Sequence, residues 1–293
     1  MNYHITHRTT YEYAAPVAVS HHVARLEPRG TPAQTPQNFS LKIHPPPVLR
    51  KVRADYFGNQ LCFFSVQEIH QRLEITAASR VSIHKPGPYP PDTSPAWEQA
   101  ARLFRDPVAP DVIGPYQFVF DSPHVCASFD LADYARESFQ KDAPLLVGVL
   151  DLARRIFKDF QYDSKATTIV TPLEEVLQKR RGVCQDFAHL GIACLRSLGL
   201  PARYVSGYLR THPLEGKERL VGADASHAWF SVFCPRNGWS DFDPTNNLQV
   251  SEEHITVAYG RDFSDVSPVA GILTGGGQHE VQVSVDVKEV PAA

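Results

Sequence analysis

The chain has 293 residues, a formal net charge of −3 and a pI near 6.5. With 43% apolar and 21% charged residues it is composed like a soluble globular protein, not a disordered one. No uninterrupted apolar run approaches the roughly 18 residues of a membrane span, and the mild acidity does not suit a general nucleic-acid binder. At about 150 residues per domain, the length suggests two domains. The 24 prolines, about 8% against a usual ~5%, point to many rigid turns. Cysteines fall at 62, 126, 184, 194 and 234, an odd number at irregular spacing, which is not a disulfide framework. The first residues, Met1 to His7, lack the basic and apolar regions of a secretory signal, so reduced thiols in the cytoplasm are the default.

Residues 1–85 look β-rich. Residues 4–13 are full of β-formers, Asp55-Tyr56-Phe57-Gly58-Asn59-Gln60 carries a turn, and 61–66 and 73–83 read as short strands. An antiparallel sandwich or barrel is expected. Residues 86–143 form a proline-rich connector with short helical patterns near 97–104 and 129–139. From Pro144 the period changes: Leu145, Val149, Leu152, Ile156 and Phe160 recur at helical spacing. A second helix is expected to start at Thr171-Pro172-Leu173-Glu174 through a capping box and to close at Arg181-Gly182. A third runs from about Cys184 to Leu198, with Phe187, Leu190, Gly191, Cys194 and Leu195 on one face, and stops at Gly199 and Pro201. Strands are expected at 202–209, 227–234 and 239–242, the last two joined through Pro235-Arg236-Asn237-Gly238. In the final segment, 251–293, valines at 281, 283, 285 and 287 alternate with polar residues, the pattern of a half-buried strand after the Gly275-Gly276-Gly277 joint.

Cys184 is the most informative thiol because it opens a helix, where the positive end of the helix dipole favours thiolate. An ordinary cysteine, with a pKa near 8.5, is only a few per cent thiolate at pH 7. Cys194 lies about 15 Å further along the helix, too far for a disulfide, and reads as core. His227 begins an apolar strand and Asp243 ends the next one. Each alone has an ordinary structural reading, a strand-edge histidine and an Asp-Pro turn. Together they supply a nucleophile, a base and a group to orient the base. The histidine pairs His21-His22 and His4/His7 lack accompanying Cys or carboxylate spacing and read as surface residues. Zinc on Cys184, His227 and Asp243 is a minor alternative, and no phosphate-binding glycine loop is present.

Four runs in order, Arg181 to His189, Gly199 to Tyr208, Ser226-His227-Ala228-Trp229 and Asp243-Pro244-Thr245-Asn246, resemble the bacterial transglutaminase-like superfamily. Thr9 to Tyr13, Arg25-Leu26-Glu27-Pro28 and Asp55 to Asn59 resemble the β-domain that precedes this core in one bacterial branch. The resemblance implies an α+β chain: an N-terminal antiparallel β-sandwich-like domain, then a papain-like transglutaminase core over 144–250, helices packed on an antiparallel sheet. It implies a Cys-His-Asp site on Cys184, His227 and Asp243, acting on a peptide or protein amide through a thioester, with no metal or cofactor. The Cys184 backbone N–H is a natural oxyanion donor, and a second could come from Tyr162 or Gln185. Asp186, two residues after the thiol, is expected to hold a neighbouring loop.

Hydrolysis is the favoured outcome. Protein-glutamine transamidation, an arylamine acetyltransferase-like reaction and a non-catalytic binding module are the other readings. A geometric tension remains within the hairpin. Pairing Cys234 with Trp239 would set Phe230 opposite Asp243, leaving His227 about 10 Å away along the strand and on the other face. A bulge or a different loop length must correct this, or Asp224 or Asp241 takes the role of orienter.

Overall fold

The computed structural model describes residues 1–84, 90–105, 110–211 and 225–291. The N-terminal strands are β1 (Asn2–Ala24), β2 (Gln34–His44), β3 (Leu49–Ala54), β4 (Gln60–Val66) and β5 (His70–Ile83). Short helices α1 (Trp97–Leu103), α2 (Pro110–Tyr116) and α3 (Phe129–Arg136) lead to α4 (Leu145–Asp159). Then come β6 (Gln161–Tyr162), α5 (Leu173–Lys179), β7 (Arg181–Gly182) and α6 (Cys184–Ser197). The chain continues through β8 (Ala202–Leu209), β9 (Ala225–Cys234), β10 (Gly238–Asp243), β11 (Leu248–Gln249) and β12 (His254–Gly260). It ends with α7 (Phe263–Val266), β13 (Val269–Gly275) and β14 (His279–Glu289).

Among the described residues the architecture is α+β, built on one seven-stranded and one five-stranded antiparallel sheet. The β-rich N-terminal region forms the larger sheet around a single long strand. The first half of β1 pairs with β5 and β14, and its second half with β4 and β13. Thus the alternating valines near the C-terminus do form a strand, and it returns to the first strand of the chain. The long β1 also overturns one expectation. His7 and His22 lie inward, 2% and 6% exposed, because odd and even positions take opposite faces and both halves of β1 are covered. His7 is held between Tyr208 Oη and Thr9 Oγ1, each at 3.0 Å, which joins the larger sheet to β8.

The smaller sheet runs β11-β10-β9-β8-β12, and α6 packs against it. An amphipathic helix buries one stripe, yet Asp186 through Arg196 are all buried. Strands β8 and β9 cover one side of α6, while α3, α4 and α5 cover the others. Trp229, Phe230 and Phe242 on the sheet are fully enclosed, each worth about 1.5–3 kcal/mol by burial. The turn at Asp55 docks the two sheets together. Asn59 donates to Tyr259 O and accepts the Tyr259 N–H, both at 2.8 Å.

The start of α5 differs from the expected capping box. Pro172 is the N-cap and supplies no side-chain cap, while Thr171 Oγ1 accepts the Thr168 N–H at 2.9 Å instead. Its hydroxyl closes the preceding turn and is no longer available to the helix. At the other end the chain leaves α5 through Arg180, at φ 53°, and residues 181–182 form β7.

Candidate active site

Cys184 is the first residue of α6, and its thiol is partly exposed. The chain reaches it along β7, which pairs in parallel with β6 so that Tyr162 lies beside Gly182. Asp186 fastens this entry. Its Oδ2 accepts the Val183 N–H at 2.8 Å and the Thr167 hydroxyl at 2.6 Å, holding the loop before α5 against the helix start. Gly182 is required by that carboxylate, because a Cβ there would stand 2.7 Å from Asp186 Oδ2. The sequence expectation that Asp186 holds a neighbouring loop has this geometry behind it.

His227 and Asp243 come together across the β9–β10 hairpin. His227 Nε2 lies 2.8 Å from Asp243 Oδ2, and both residues are buried, at 8% and 0% exposure. The expected pairing of Cys234 with Trp239 does not occur. Cys234 pairs with Gly238, and Phe230 pairs with Phe242. The turn is therefore one residue shorter, with Gly238 at φ 73° absorbing the reversal. Because side chains alternate, this one-residue difference turns Asp243 onto the face of Trp229 and His227.

Asp243 is surrounded by donors. Besides His227, its Oδ2 accepts Asn246 Nδ2 at 2.7 Å and faces His254 Nε2 at 3.1 Å. Its Oδ1 accepts the backbone N–H groups of Thr245 at 2.9 Å and Asn246 at 3.2 Å. Burial alone would raise this carboxyl, but the hydrogen bonds from His227, His254 and Asn246 overcome it and hold Asp243 well below its ordinary range. His227 responds oppositely. Burial opposes its charge, but its bonds to Asp243 and to Cys184 outweigh that and push it up to about 10. The carboxylate holds the Nε2 side of the imidazole, and the Cys184 thiol is its other charge-stabilising neighbour.

The remaining candidates fall into place unevenly. Asp241 accepts the Trp229 indole N–H at 3.3 Å, while the bond to His227 is made by Asp243. Asp224 lies outside the described residues. Tyr162 is 57% exposed, and its phenol is raised by burial and by the neighbouring Cys184. Gln185 shares the first turn of α6, where backbone N–H groups have no intrahelical partner. His254 and Asn246 were not singled out in the sequence. Asn246 follows the Asp-Pro turn directly, whereas His254 arrives from a separate strand with no local signal.

The ligand-type atoms of His227, Asp243 and His254 lie within 4.8 Å of one another. Both imidazoles sit at hydrogen-bond distance from one carboxylate oxygen, a donor–acceptor cluster that already satisfies its own polar atoms.

A helix that opens on a cysteine, packed on an antiparallel sheet that carries a histidine–carboxylate pair, defines the papain-like α+β class of cysteine-enzyme folds. Residues 132–244 match the transglutaminase-like superfamily, and residues 3–82 match the bacterial transglutaminase-like N-terminal region. An uncharacterized protein of Mycobacterium tuberculosis is 42% identical, covering 97% of this chain and 92% of its own length. A Mycobacterium leprae protein is 31% identical, covering 97% of each. The chain belongs to the transglutaminase-like superfamily. A Pseudomonas aeruginosa protein-glutamine gamma-glutamyltransferase is 30% identical, but over only 43% of this chain and 19% of its own length. In fold, the chain is similar to a solved Cytophaga hutchinsonii protein proposed to be a cysteine protease, with a TM-score of 0.75, 23% identity and coverage of 100% and 92%.

Proposed function

We propose that this protein is a cysteine amide hydrolase that works through a thioester on Cys184. The observation that carries the reading is a partly exposed thiol at the start of α6 together with the buried His227–Asp243 pair, whose Nε2 and Oδ2 lie 2.8 Å apart. The Cys184 sulfur attacks the carbonyl carbon of a peptide or protein amide. The C–N bond then breaks as His227 passes its proton to the leaving amine. Water attacks the thioester, His227 takes a proton from it, and the acid leaves as the thiol is restored. Asp243 fixes the imidazole and stabilises its charged form throughout. The Cys184 N–H, at the start of α6, is the first oxyanion donor, and Tyr162 and Gln185 are the candidates for the second.

Transfer to an amine is the second reading, favoured by the partial likeness to a protein-glutamine gamma-glutamyltransferase. Water, at about 55 M, reaches a thiol that is partly exposed, so an amine at millimolar level competes only where the site binds and orients it. This favours hydrolysis. The five cysteines are all free thiols, which supports action in a reducing compartment such as the cytoplasm. The test is product partitioning. An amide substrate is supplied with increasing primary amine, and acid is quantified against new amide. Acid as the main product at millimolar amine is expected. Saturable amide formation that dominates there makes the protein a transferase. Turnover of acetyl-coenzyme A with an arylamine identifies the acetyltransferase reaction instead.

A further inference from the structure

One oxygen of Asp243 serves more than His227. Oδ2 is shared by His227 Nε2 at 2.8 Å, Asn246 Nδ2 at 2.7 Å and His254 Nε2 at 3.1 Å. His254 is 4% exposed, lies on β12, and falls beyond the segment that matches the superfamily. The Ser251 N–H donates to its Nδ1 at 3.3 Å, so that nitrogen is an acceptor and the ring proton sits on Nε2, facing Asp243. The ring also cannot turn freely. It packs edge-on against Trp229, with centroids 5.2 Å apart at 86°, and lies 6.2 Å from the His227 ring.

We propose that His254 is a positioning residue for the reaction: a fixed N–H donor that takes a share of the Asp243 oxygen holding His227 and so limits how tightly the site retains the His227 proton. The inference rests on the cysteine-enzyme reading above. The groups that face this cluster are Cys184 from α6, His227 from β9, Asn246 after β10 and, through Trp229, Asp241 of β10. In this cluster the carboxylate and the thiol both favour a protonated imidazole. The positive end of the His254 N–H dipole opposes that tendency. Its purpose follows from the chemistry, because an imidazolium that is too basic is a poor acid for a leaving amine.

The test is the titration of His227 followed by NMR in full-length protein carrying Cys184→Ala, which removes the contribution of the thiol. Adding His254→Phe is expected to raise the proton affinity of His227 roughly tenfold, the scale of one hydrogen bond to a charged group. His254→Gln, which can present an N–H at the same place, is expected to bring it back. A packing role alone would lower the melting temperature of His254→Phe and leave the titration unmoved, and that result overturns the proposal. So does a fall in proton affinity. If His254→Phe does not fold, the nitrogen shifts of the wild-type ring decide: a proton on Nε2 supports the proposal and a proton on Nδ1 overturns it. Failure of the underlying reading has a separate signature. In that case Cys184→Ala by itself leaves the His227 titration where it is in the wild type.

Discussion

Phe242 lies directly across the β9–β10 ladder from Phe230, and this pairing puts Asp243 on the face that carries His227. A slip of one residue would turn every β10 side chain over. The turn that fixes the register ends at Gly238, whose φ of 73° suits glycine and disfavours a branched residue. Gly238→Val is expected to destabilise the protein by about 1–2 kcal/mol and to weaken the His227–Asp243 pair. Gly238→Asn, which tolerates that backbone, should be milder. Denaturant melts and the His227 titration measure both effects. An unchanged Gly238→Val protein would show that the register is set elsewhere.

The pH dependence of stability follows from the same pair. His227 is raised from 6.5 to about 10, so its contribution is complete below 6.5 and is lost as pH rises through 10. Asp243 is depressed below its ordinary 3.8, so its contribution is present above that value and disappears as pH falls further. Comparing the wild type with His227→Gln by denaturation at pH 6 and pH 10 isolates the first effect. The gap between them should be wide at pH 6 and narrow at pH 10. A gap independent of pH would contradict the assigned charge on His227.

Gly182 tests the fastening of the nucleophile helix. A methyl group there would meet Asp186 Oδ2 at 2.7 Å and Asp186 Cβ at 2.9 Å. Gly182→Ala is expected to displace Asp186, release Thr167 and cost about 1–3 kcal/mol, the usual range for overpacking. Alkylation of Cys184 should slow as well. Thr167→Val removes only the loop contact and should show the smaller effect. Melting temperature and alkylation rate together decide, and a Gly182→Ala protein normal in both would remove Asp186 from the account.

Brief iodoacetamide treatment at neutral pH should label Cys184 first. Cys62, Cys194 and Cys234 are buried, and burial pushes the Cys194 thiol up to about 12. Cys126 is exposed and is the true competitor, but partial burial and the carboxylates of Asp121, Glu174 and Asp262 raise its thiol. Peptide mass mapping shows the order of labelling. Cys126 ahead of Cys184 would count against an activated thiol at the helix start.

Local signals carried much of this site. The helix from Cys184, the strands around His227 and Asp243, and the breaker at Gly199 are all marked by periodicity and turn residues, and they stand where the pattern put them. The hairpin register was not legible, because it depends on which residue of the turn takes the left-handed backbone. His254 was not legible either. Its importance comes from a strand on the far side of β8 that brings its ring under Asp243, and no spacing within the chain encodes that approach. The two inward histidines of β1 were misread for a related reason: Tyr208 of β8 meets the His7 ring and Phe64 of β4 stacks on His22, and both partners are distant in sequence.

The central claim is that Cys184 carries the acyl group, with His227 and Asp243 driving its formation. Rapid quenching after mixing with a peptide amide or an activated ester, followed by intact-protein and peptide mass spectrometry, reads this directly. The expected result is one hydroxylamine-sensitive acyl group on Cys184. In Asp243→Asn it should form more slowly by about 10⁴, the scale seen when a triad aspartate is lost. An acyl group on another residue, or equal rates in the wild type and Asp243→Asn, would contradict the account.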